Sequence, residues 1–248
     1  MIERSDRDGI LTLRLAHGKA SVFDLELMEA LDAQLAGAAN ARALILTGTG
    51  SIFSAGVDLF RLTNEGEPYV RRFIPALTRM LETLFTLPIP VVAAVNGHAI
   101  AGGCILTAAA DYRIMAAGNG RIGAPELLVG VPFPAIALET LRFAWPNEHI
   151  EELVYLGKTV LPDEALAKGV IDEIAEPPQL IDRANTIATT LAAIPSASFR
   201  IVKRQLRTPV IERTRQFENA DRESVEIWCA SSTHDHIRSY LSRTVHRK

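Results

Sequence analysis

Hydrophobic and polar positions along the chain predict strands that alternate with helices over roughly the first two thirds of the sequence. Residues 10–15 alternate apolar with polar side chains, as a half-buried strand does. The apolar positions of residues 25–35 recur at helical spacing, and Asp24 directly before them is a candidate N-cap. Uninterrupted apolar runs at residues 43–46 and Val91–Val95 are typical of buried strands. Together these elements predict an α/β fold.

The last third of the chain changes to a pattern of helices only, starting after Pro177 and Pro178. The four helices predicted there cover residues 180–193, 196–207, 213–229 and 234–241. This change predicts a core domain over residues 1–176 and a helical C-terminal subdomain over residues 177–248.

Basic side chains cluster on the second of these helices. They are Arg200, Lys203, Arg204 and Arg207. The first interpretation of such a cluster is a solvated helix face, and the alternative is a site for the phosphates of a bound cofactor.

The amino-acid composition limits the classes of function that this chain can have. With 248 residues, 48% of them apolar, the chain can form a substantial core. A formal net charge of −3 gives no support to a general role with nucleic acid or an anionic membrane surface. The only two cysteines, Cys104 and Cys229, lie far apart in apolar sequence, which predicts buried thiols in a reducing compartment. Their spacing predicts neither a disulfide nor a metal site.

The sequence predicts no targeting signal. Residues 1–7 are charged and polar and therefore lack the apolar segment of a signal peptide. The last three residues, His246, Arg247 and Lys248, do not form a peroxisomal address. Residues 88–110 approach membrane-spanning length, but Asn96 and His98 interrupt them, so no membrane span is expected. We expect a cytoplasmic protein.

That same stretch, residues 88–110, is the centre of the predicted site. Its strand ends at the turn Asn96-Gly97, and apolar sequence resumes through Ala101-Gly102-Gly103. A helix that begins at Gly102 would present unpaired backbone N–H groups, and its partial positive charge would favour an oxygen that gains negative charge. The alternative is that the two glycines merely allow a helix to pack closely against a strand.

Two further positions are candidates for chemistry. Val57 directly follows Gly56 in a small-residue turn, so its N–H could face a ligand, and Asp58 is expected to cap the helix that follows. Glu126 is a lone carboxylate beside apolar Leu127, Leu128 and Val131. It is either a surface acid at a loop end or a buried base whose pKa is raised toward neutrality. The Gly-x-Gly after residues 43–46 lacks the remaining features of a nucleotide-binding motif.

Five segments occur in a characteristic order along the chain. They are GKASVFD at 18–24, FSAGVDL at 53–59, VVAAVNGHAIAGG at 91–103, DYRI at 111–114 and GAPELLVGV at 123–131. In order and spacing they resemble the crotonase (enoyl-CoA hydratase/isomerase) superfamily over essentially the whole chain. The resemblance implies a spiral of ββα units, with C-terminal helices that help to assemble homotrimers or hexamers. It also implies an acyl-CoA substrate, so that coenzyme A enters with the substrate and no cofactor is permanently bound.

The resemblance also implies roles for single residues. The positions that match the two oxyanion-hole donors of the family are Val57 and Gly102. Glu126 matches the second of the two glutamates that hydratases use. Candidates for contact with the adenosine-phosphate end of coenzyme A are Lys19, Ala20 and Val22.

Departures from the family pattern bear on the reaction. The first hydratase glutamate is replaced by Ile105, which can neither hold nor deprotonate water, and the further acid of dienoyl-CoA isomerases is replaced by Pro134. Both residues are expected to line the acyl pocket. A single glutamate that moves a proton from C2 to C4 is the equipment of the Δ3,Δ2-enoyl-CoA isomerases. Two other differences are Ala101 at the first glycine of the triplet and Pro125, which is the hydratase-like residue before Glu126.

Three functions therefore stay open from the sequence. The first is an enoyl-CoA isomerase. The second is a hydratase (lyase) or acyl-CoA hydrolase in which Glu126 alone activates water. The third is a catalytically weak acyl-CoA-binding protein that has kept the fold.

Overall fold

The structure, a computed structural model, describes residues 1–244. Within them the chain forms ten strands and twelve α-helices. The strands are β1 (Ile2–Arg7), β2 (Ile10–Leu15), β3 (Ala43–Thr47), β4 (Ile52–Ser54), β5 (Val91–Val95), β6 (His98–Ile100), β7 (Tyr112–Ala116), β8 (Ile122–Gly123), β9 (Thr159–Val160) and β10 (Glu173–Ala175). The helices are α1 (Leu25–Ala36), α2 (Leu59–Glu65), α3 (Glu67–Thr86), α4 (Gly102–Ala108), α5 (Glu126–Val129), α6 (Ala135–Ala144), α7 (Asn147–Tyr155), α8 (Pro162–Ala167), α9 (Leu180–Ala192), α10 (Ser196–Gln216), α11 (Glu218–Cys229) and α12 (Ser231–Thr244).

The strands form two sheets. A six-stranded sheet has the order β1-β2-β3-β5-β7-β10, in which only the β1–β2 pair is antiparallel. A four-stranded sheet has the order β4-β6-β8-β9 and is parallel except for β8–β9. Three successive units, which begin with β3, β5 and β7, each place one strand in each sheet and continue into a helix. These units match the expected repetition of ββα.

Apolar residues on both faces of the six-stranded sheet are buried by helices. The main core lies on one face, where α1 and α3 pack together and supply Leu31, Phe73 and Leu77. On the other face α9 covers β3 and β5, and Ala184 and Ala188 pack there. Burial on both faces explains why β3 and β5 read as continuous apolar runs.

The helix-only character predicted after residue 177 is observed, with different boundaries. The helix α10 continues to Gln216 through Pro209, and α11 begins only at Glu218. The helices α10, α11 and α12 fold back onto α3, α6, α2 and α5 of the same chain. Residues 245–248, which include the last part of the predicted subdomain, lie outside the described residues.

The basic cluster on α10 does not behave as one solvated face. Lys203 and Arg207 are buried and donate to opposite oxygens of Asp111, each at 2.6 Å. Asp111 follows the end of α4, so this buried cluster ties α10 to the helix that begins at the glycine pair. The solvated-face interpretation is therefore wrong for these two residues, whereas Arg200 and Arg204 are exposed.

No helix within residues 1–244 has both the length and the apolar character that a membrane span needs. Both cysteines are free. Cys104 is buried as expected, but Cys229 is partly exposed, so the prediction of two buried thiols is wrong for Cys229.

Candidate active site

The helix α4 begins at Gly102, as the sequence indicates, but a short strand that was not predicted, β6, separates it from the turn after β5. Ala101 precedes the helix with φ +54° and ψ −126°, a conformation that favours glycine. Its carbonyl accepts the N–H groups of Cys104 and Ile105, and its N–H donates to the carbonyl of Gly123. A strained residue at this point fixes the direction in which the first N–H of α4 faces.

Val57 is positioned by an isolated parallel bridge to Phe23. The N–H of Phe23 donates to the carbonyl of Gly56 at 2.7 Å, and the N–H of Asp58 donates to the carbonyl of Phe23 at 3.0 Å. The N–H of Val57 lies between these two bonds and faces the other way. Asp58 accepts the N–H of Arg61 at 2.9 Å and so caps α2, which confirms its expected capping role.

The segments that carry Val57 and Gly102 touch each other. Gly56 has φ +79°, and a Cβ added to it would lie 2.8 Å from the amide nitrogen of Gly102 and 2.7 Å from the Cβ of Ala101. No side chain fits in that gap, so glycine is required at position 56. The N–H groups of Val57 and Gly102 form no hydrogen bond with any residue in the described range 1–244. Two unpaired donors on touching segments can serve one oxygen.

Glu126 is the first residue of α5 and is 7% exposed, so the surface-acid alternative is wrong. Its Oε2 atom is buried and has no hydrogen-bond partner among the described residues. Burial disfavours the charged carboxylate and raises the pKa of Glu126 to about 8. Leu127 and Leu128, expected to desolvate it, are exposed, whereas Val131 is buried beside it. The apolar surroundings thus come mainly from other elements.

Glu126 and the two donor segments line one cavity of about 110 Å³. Ile105 and Pro134 lie in its wall, where the sequence predicted them. The remaining wall is almost entirely apolar, and its residues come from six helices, from β6 and from the loops between these elements. They are Ala55, Leu59, Leu77, Ile100, Ala101, Pro125, Val129, Val131, Phe133, Ala137, Trp228 and Tyr240.

Two aromatic residues of this wall, Trp228 and Tyr240, were not predicted. They lie on α11 and α12, which fold over the site. The indole Nε1 of Trp228 donates to the carbonyl of Pro132 at 3.0 Å, and the Nε2 of His236 is 3.3 Å from the carbonyl of Leu128. These contacts attach the C-terminal helices to α5, which begins with Glu126, and to the loop that follows it. Nothing in the local sequence marks the two aromatic residues, because their place depends on how distant helices dock.

The candidate contacts for coenzyme A, Lys19, Ala20 and Val22, are not among the residues that line the cavity. The carbonyl of Ala20 accepts the N–H of Ala55 at 3.0 Å, which aligns this loop with the segment that leads to Val57. Lys19 is exposed, so its ammonium group is free to meet a phosphate.

Cys104 lies next to Gly103 in α4 and close to Glu126. Burial raises the pKa of its thiol well above the usual value, with a further contribution from Glu126. A buried thiol of this kind is a poor nucleophile. Within residues 1–244, no three His, Cys, Asp or Glu side chains are grouped so that they could hold a metal ion.

Comparison with known proteins gives consistent similarities. A family profile described as "Enoyl-CoA hydratase/isomerase" matches residues 7–243. A putative enoyl-CoA hydratase of Thermus thermophilus is 35% identical over 185 residues, which cover 73% of this chain and 72% of that protein. Enoyl-CoA delta isomerase 1, mitochondrial, of Mus musculus is 26% identical over 254 residues, which cover 100% of this chain and 88% of that protein.

Among solved structures, human mitochondrial delta3-delta2-enoyl-CoA isomerase superposes with a TM-score of 0.94 at 25% identity. The match covers 100% of this chain and 99% of that one. It confirms the predicted α/β, crotonase-like fold with a helical C-terminal region. Hydratase and isomerase names both occur among the similar proteins, so the names alone do not select a reaction.

Proposed function

The chain belongs to the enoyl-CoA hydratase/isomerase family, and we propose that it shifts the double bond of an enoyl-CoA from C3–C4 to C2–C3. The observation that carries this proposal is a single buried carboxylate, Glu126, in an apolar cavity whose wall also holds Val57 and Gly102. The wall offers no second carboxylate among the described residues. One base and one oxyanion site are sufficient for an isomerisation.

The reaction begins at the thioester. The carboxylate of Glu126 takes a proton from C2, and the electron pair of that C–H bond moves toward the carbonyl oxygen to give an extended enolate. The N–H groups of Val57 and Gly102 stabilise this oxygen, and each such donor typically contributes about 3–4 kcal/mol to the transition state. The Glu126 carboxyl group then returns the proton to C4. The thioester carbonyl re-forms and the double bond lies between C2 and C3.

The raised pKa of Glu126 suits both halves of this transfer. A carboxylate of ordinary pKa is a weak base toward carbon, whereas a pKa of about 8 increases its basicity. The same group stays a competent acid near neutral pH when it returns the proton. Exclusion of water by Ile105 and Pro134 keeps the proton on Glu126 between the two steps.

A second candidate is a hydratase (lyase) or acyl-CoA hydrolase in which Glu126 alone activates water. Pro125 favours it, as does a cavity of about 110 Å³, which exceeds the space that one water molecule needs. Against efficient hydration stands Ile105, which offers no hydrogen bond to hold the attacking water. A catalytically weak acyl-CoA-binding protein would not need a buried and unpaired carboxylate.

We further propose that coenzyme A is held only as part of the substrate, with Lys19, Ala20 and Val22 near its adenosine-phosphate end. The free thiols of Cys104 and Cys229 fit a cytoplasmic protein. A homotrimer, or a hexamer made of two trimers, is the proposed assembly.

The proposed reaction is tested by following products. Purified protein is mixed with a 3-enoyl-CoA and, separately, with the 2-enoyl-CoA of the same chain length. Formation of 2-enoyl-CoA from the first, with little 3-hydroxyacyl-CoA from the second, is the expected result. Rapid 3-hydroxyacyl-CoA formation would favour the hydratase, and release of free coenzyme A would favour the hydrolase.

A further inference from the structure

Ser54 is the last residue of β4 and is completely buried, although its side chain is a hydroxyl. It is not among the residues that line the cavity, so the proposed reaction gives it no part. Its hydroxyl donates to the carbonyl of Ser21 at 2.8 Å and accepts the N–H of Gly56 at 3.1 Å. The side chain of Ser54 therefore joins backbone groups of two different segments.

The bond from Gly56 to Ser54 holds the backbone next to the first proposed oxyanion donor, Val57. Gly56 has φ +79° and, as a glycine, has no side chain to restrict its rotation. Its carbonyl accepts the N–H of Phe23 at 2.7 Å, and because the following peptide is trans and planar, the N–H of Val57 faces away from Phe23. Its own N–H is held by Ser54. Hydrogen bonds thus fix the peptide planes on both sides of Gly56, and Ser54 provides one of them.

Ser54 also contacts the start of α4, which carries the second proposed donor. A Cβ added to Gly103 would lie 2.4 Å from the carbonyl oxygen of Ser54 and 2.9 Å from its Cβ. Gly103 directly follows Gly102, so the backbone of α4 packs on Ser54 within one residue of the donor. Ser54 is therefore in contact with the segments of both proposed donors.

The carbonyl that accepts the Ser54 proton belongs to a strained residue. Ser21 is 3% exposed and has φ +44°, a conformation that persists in an L-residue only where the surroundings hold it. The neighbouring carbonyl of Ala20 accepts the N–H of Ala55 at 3.0 Å. Two consecutive residues of β4 and the turn after it are thus bonded to this loop, and they directly precede the turn that ends at Val57.

We propose that Ser54 is a positioning residue, which holds the N–H groups of Val57 and Gly102 in the arrangement that one thioester oxygen needs. The inference rests on the proposed function, because it takes these two N–H groups as the oxyanion site. Without the hydroxyl, Gly56 loses a constraint on its rotation and the two donors fit the enolate oxygen less well. The apolar cavity for the acyl chain stays unchanged. The loss therefore falls on the transition state more than on substrate binding.

Two measurements on Ser54→Ala test the positioning role. Its kcat for a 3-enoyl-CoA should fall about 10–100-fold, while its affinity for saturated butyryl-CoA should change little. The second measurement needs no turnover and compares butyryl-CoA with acetoacetyl-CoA, which has the same number of acyl carbons and can bind as an enolate. Calorimetry should show that the wild type binds acetoacetyl-CoA about tenfold more tightly. Ser54→Ala should lose most of this ratio.

Thr47→Val is the matched control, because it also removes a buried hydroxyl that donates to a backbone carbonyl. The hydroxyl of Thr47 donates to Ala94 at 2.8 Å, and Thr47 does not line the cavity. This variant should melt at a lower temperature but keep the wild-type kcat and the wild-type affinity ratio. A purely structural role of Ser54 would make the two variants behave alike.

The outcomes separate this inference from the proposed reaction. A folded Ser54→Ala protein that keeps either the wild-type kcat or the wild-type affinity ratio would overturn the inference and leave the isomerase proposal standing. Equal weakening of both thioesters would also exclude positioning, since it would indicate general damage to the site. A wild type that isomerises nothing, but prefers acetoacetyl-CoA only when Ser54 is present, would remove the reaction and support the positioning role.

Two further results decide the remaining cases. Equal affinity of the wild type for the two thioesters would remove the oxyanion site and the inference together. If Ser54→Ala does not fold, Ser54→Cys replaces it, because a thiol is only a weak donor and acceptor. The kcat of Ser54→Cys should then fall severalfold with butyryl-CoA affinity preserved, and an unchanged kcat would contradict the inference.

Discussion

In the proposed reaction, Glu126 must be basic enough to take a proton from carbon, yet it lies where a negative charge is poorly solvated. Its pKa of about 8 reflects this conflict, because no side chain of the described residues donates to the buried Oε2 atom. A structural glutamate in such surroundings would have a partner, as Glu139 has in Arg142 and Arg213. A catalytic role therefore explains best why the Glu126 carboxylate has no hydrogen-bond partner at Oε2.

We predict that Glu126→Gln lowers turnover of 3-enoyl-CoA by about 10²–10⁴-fold, because the amide keeps the shape but cannot accept a proton. In the wild type, kcat/KM should rise with pH and level off above about pH 8, since only the ionised carboxylate is the base. Affinity for a saturated acyl-CoA should change little. Glu151→Gln, on the exposed side of α7, should leave activity intact. Activity of Glu126→Gln within a few-fold of wild type would remove Glu126 from the mechanism.

The pH dependence of the melting temperature tests whether Glu126→Gln keeps the fold. The folded-state pKa lies above the ordinary value of 4.5, so between about pH 4.5 and pH 8 the folded protein holds a proton that the unfolded chain has released. Stability from this group is therefore present at low pH and is lost as pH rises through the folded pKa. Glu126→Gln should accordingly melt at a higher temperature than the wild type above pH 8. A lower melting temperature there would indicate damage to the fold.

Ala101 adopts a backbone conformation that is unfavourable for its residue type. With φ +54° it occupies a region that costs an L-residue on the order of 1–3 kcal/mol. Ala101→Gly should therefore stabilise the protein by about 1 kcal/mol, seen as a rise of a few degrees in melting temperature. Ala99→Gly, in β6 with an ordinary φ, should instead destabilise it. A loss of stability in Ala101→Gly would show that packing of the Ala101 methyl group outweighs the strain.

At the scale of secondary-structure elements, α4 connects the proposed oxyanion site to the proposed acyl pocket. Gly102 and Ile105 are three residues apart on this helix, so they face the same cavity one turn apart. In the proposed reaction, the helix that provides the oxyanion donor therefore also presents Ile105 to the substrate double bond.

Ile105→Glu should increase hydration of 2-enoyl-CoA from a low baseline, because a second carboxylate can hold and activate water beside Glu126. The matched control is Ile105→Gln, which has the same size but cannot take a proton from water. The measurement is 3-hydroxyacyl-CoA formation alongside isomerase activity. A folded Ile105→Glu protein that still isomerises but gains no hydration would contradict the role of Ile105 in excluding water.

Elements with strong local patterns could be predicted, and short ones could not. The apolar runs of β3 and β5 and the capped start of α1 depend on neighbouring residues, so the sequence was sufficient for them. The strands β6, β8 and β9 have two or three residues, too few for a periodic pattern, and they exist only because the second sheet assembles. The order of the five family-like segments was sufficient to select Gly102 and Glu126 as candidate site residues. Trp228 and Tyr240 escaped detection, because tertiary docking alone brings them to the cavity.

On the scale of the whole molecule, α10 has an inverted distribution of polar and apolar side chains. Lys203 and Arg207 are buried on its inner face, while Val202 and Leu206 are 53% and 59% exposed on its outer side. Ile201 beside them is exposed as well. Adjacent exposed apolar residues are typical of a surface that another protein covers.

A second copy of the chain is the expected partner, and we predict a mass of three or six times the 27.0 kDa of the monomer. Light scattering coupled to size-exclusion chromatography measures this mass.

Leu206→Glu should shift the protein to monomers, because a carboxylate at the centre of an apolar interface would have to be desolvated without a partner. Gln205→Glu, which adds the same charge at the neighbouring exposed position, should alter the mass far less if position 206 is buried on assembly. A wild-type monomer, or an oligomer that Leu206→Glu leaves intact, would exclude this face of α10 as the interface. Since α11 and α12 already close the cavity within one chain, a monomeric Leu206→Glu protein should keep measurable isomerase activity.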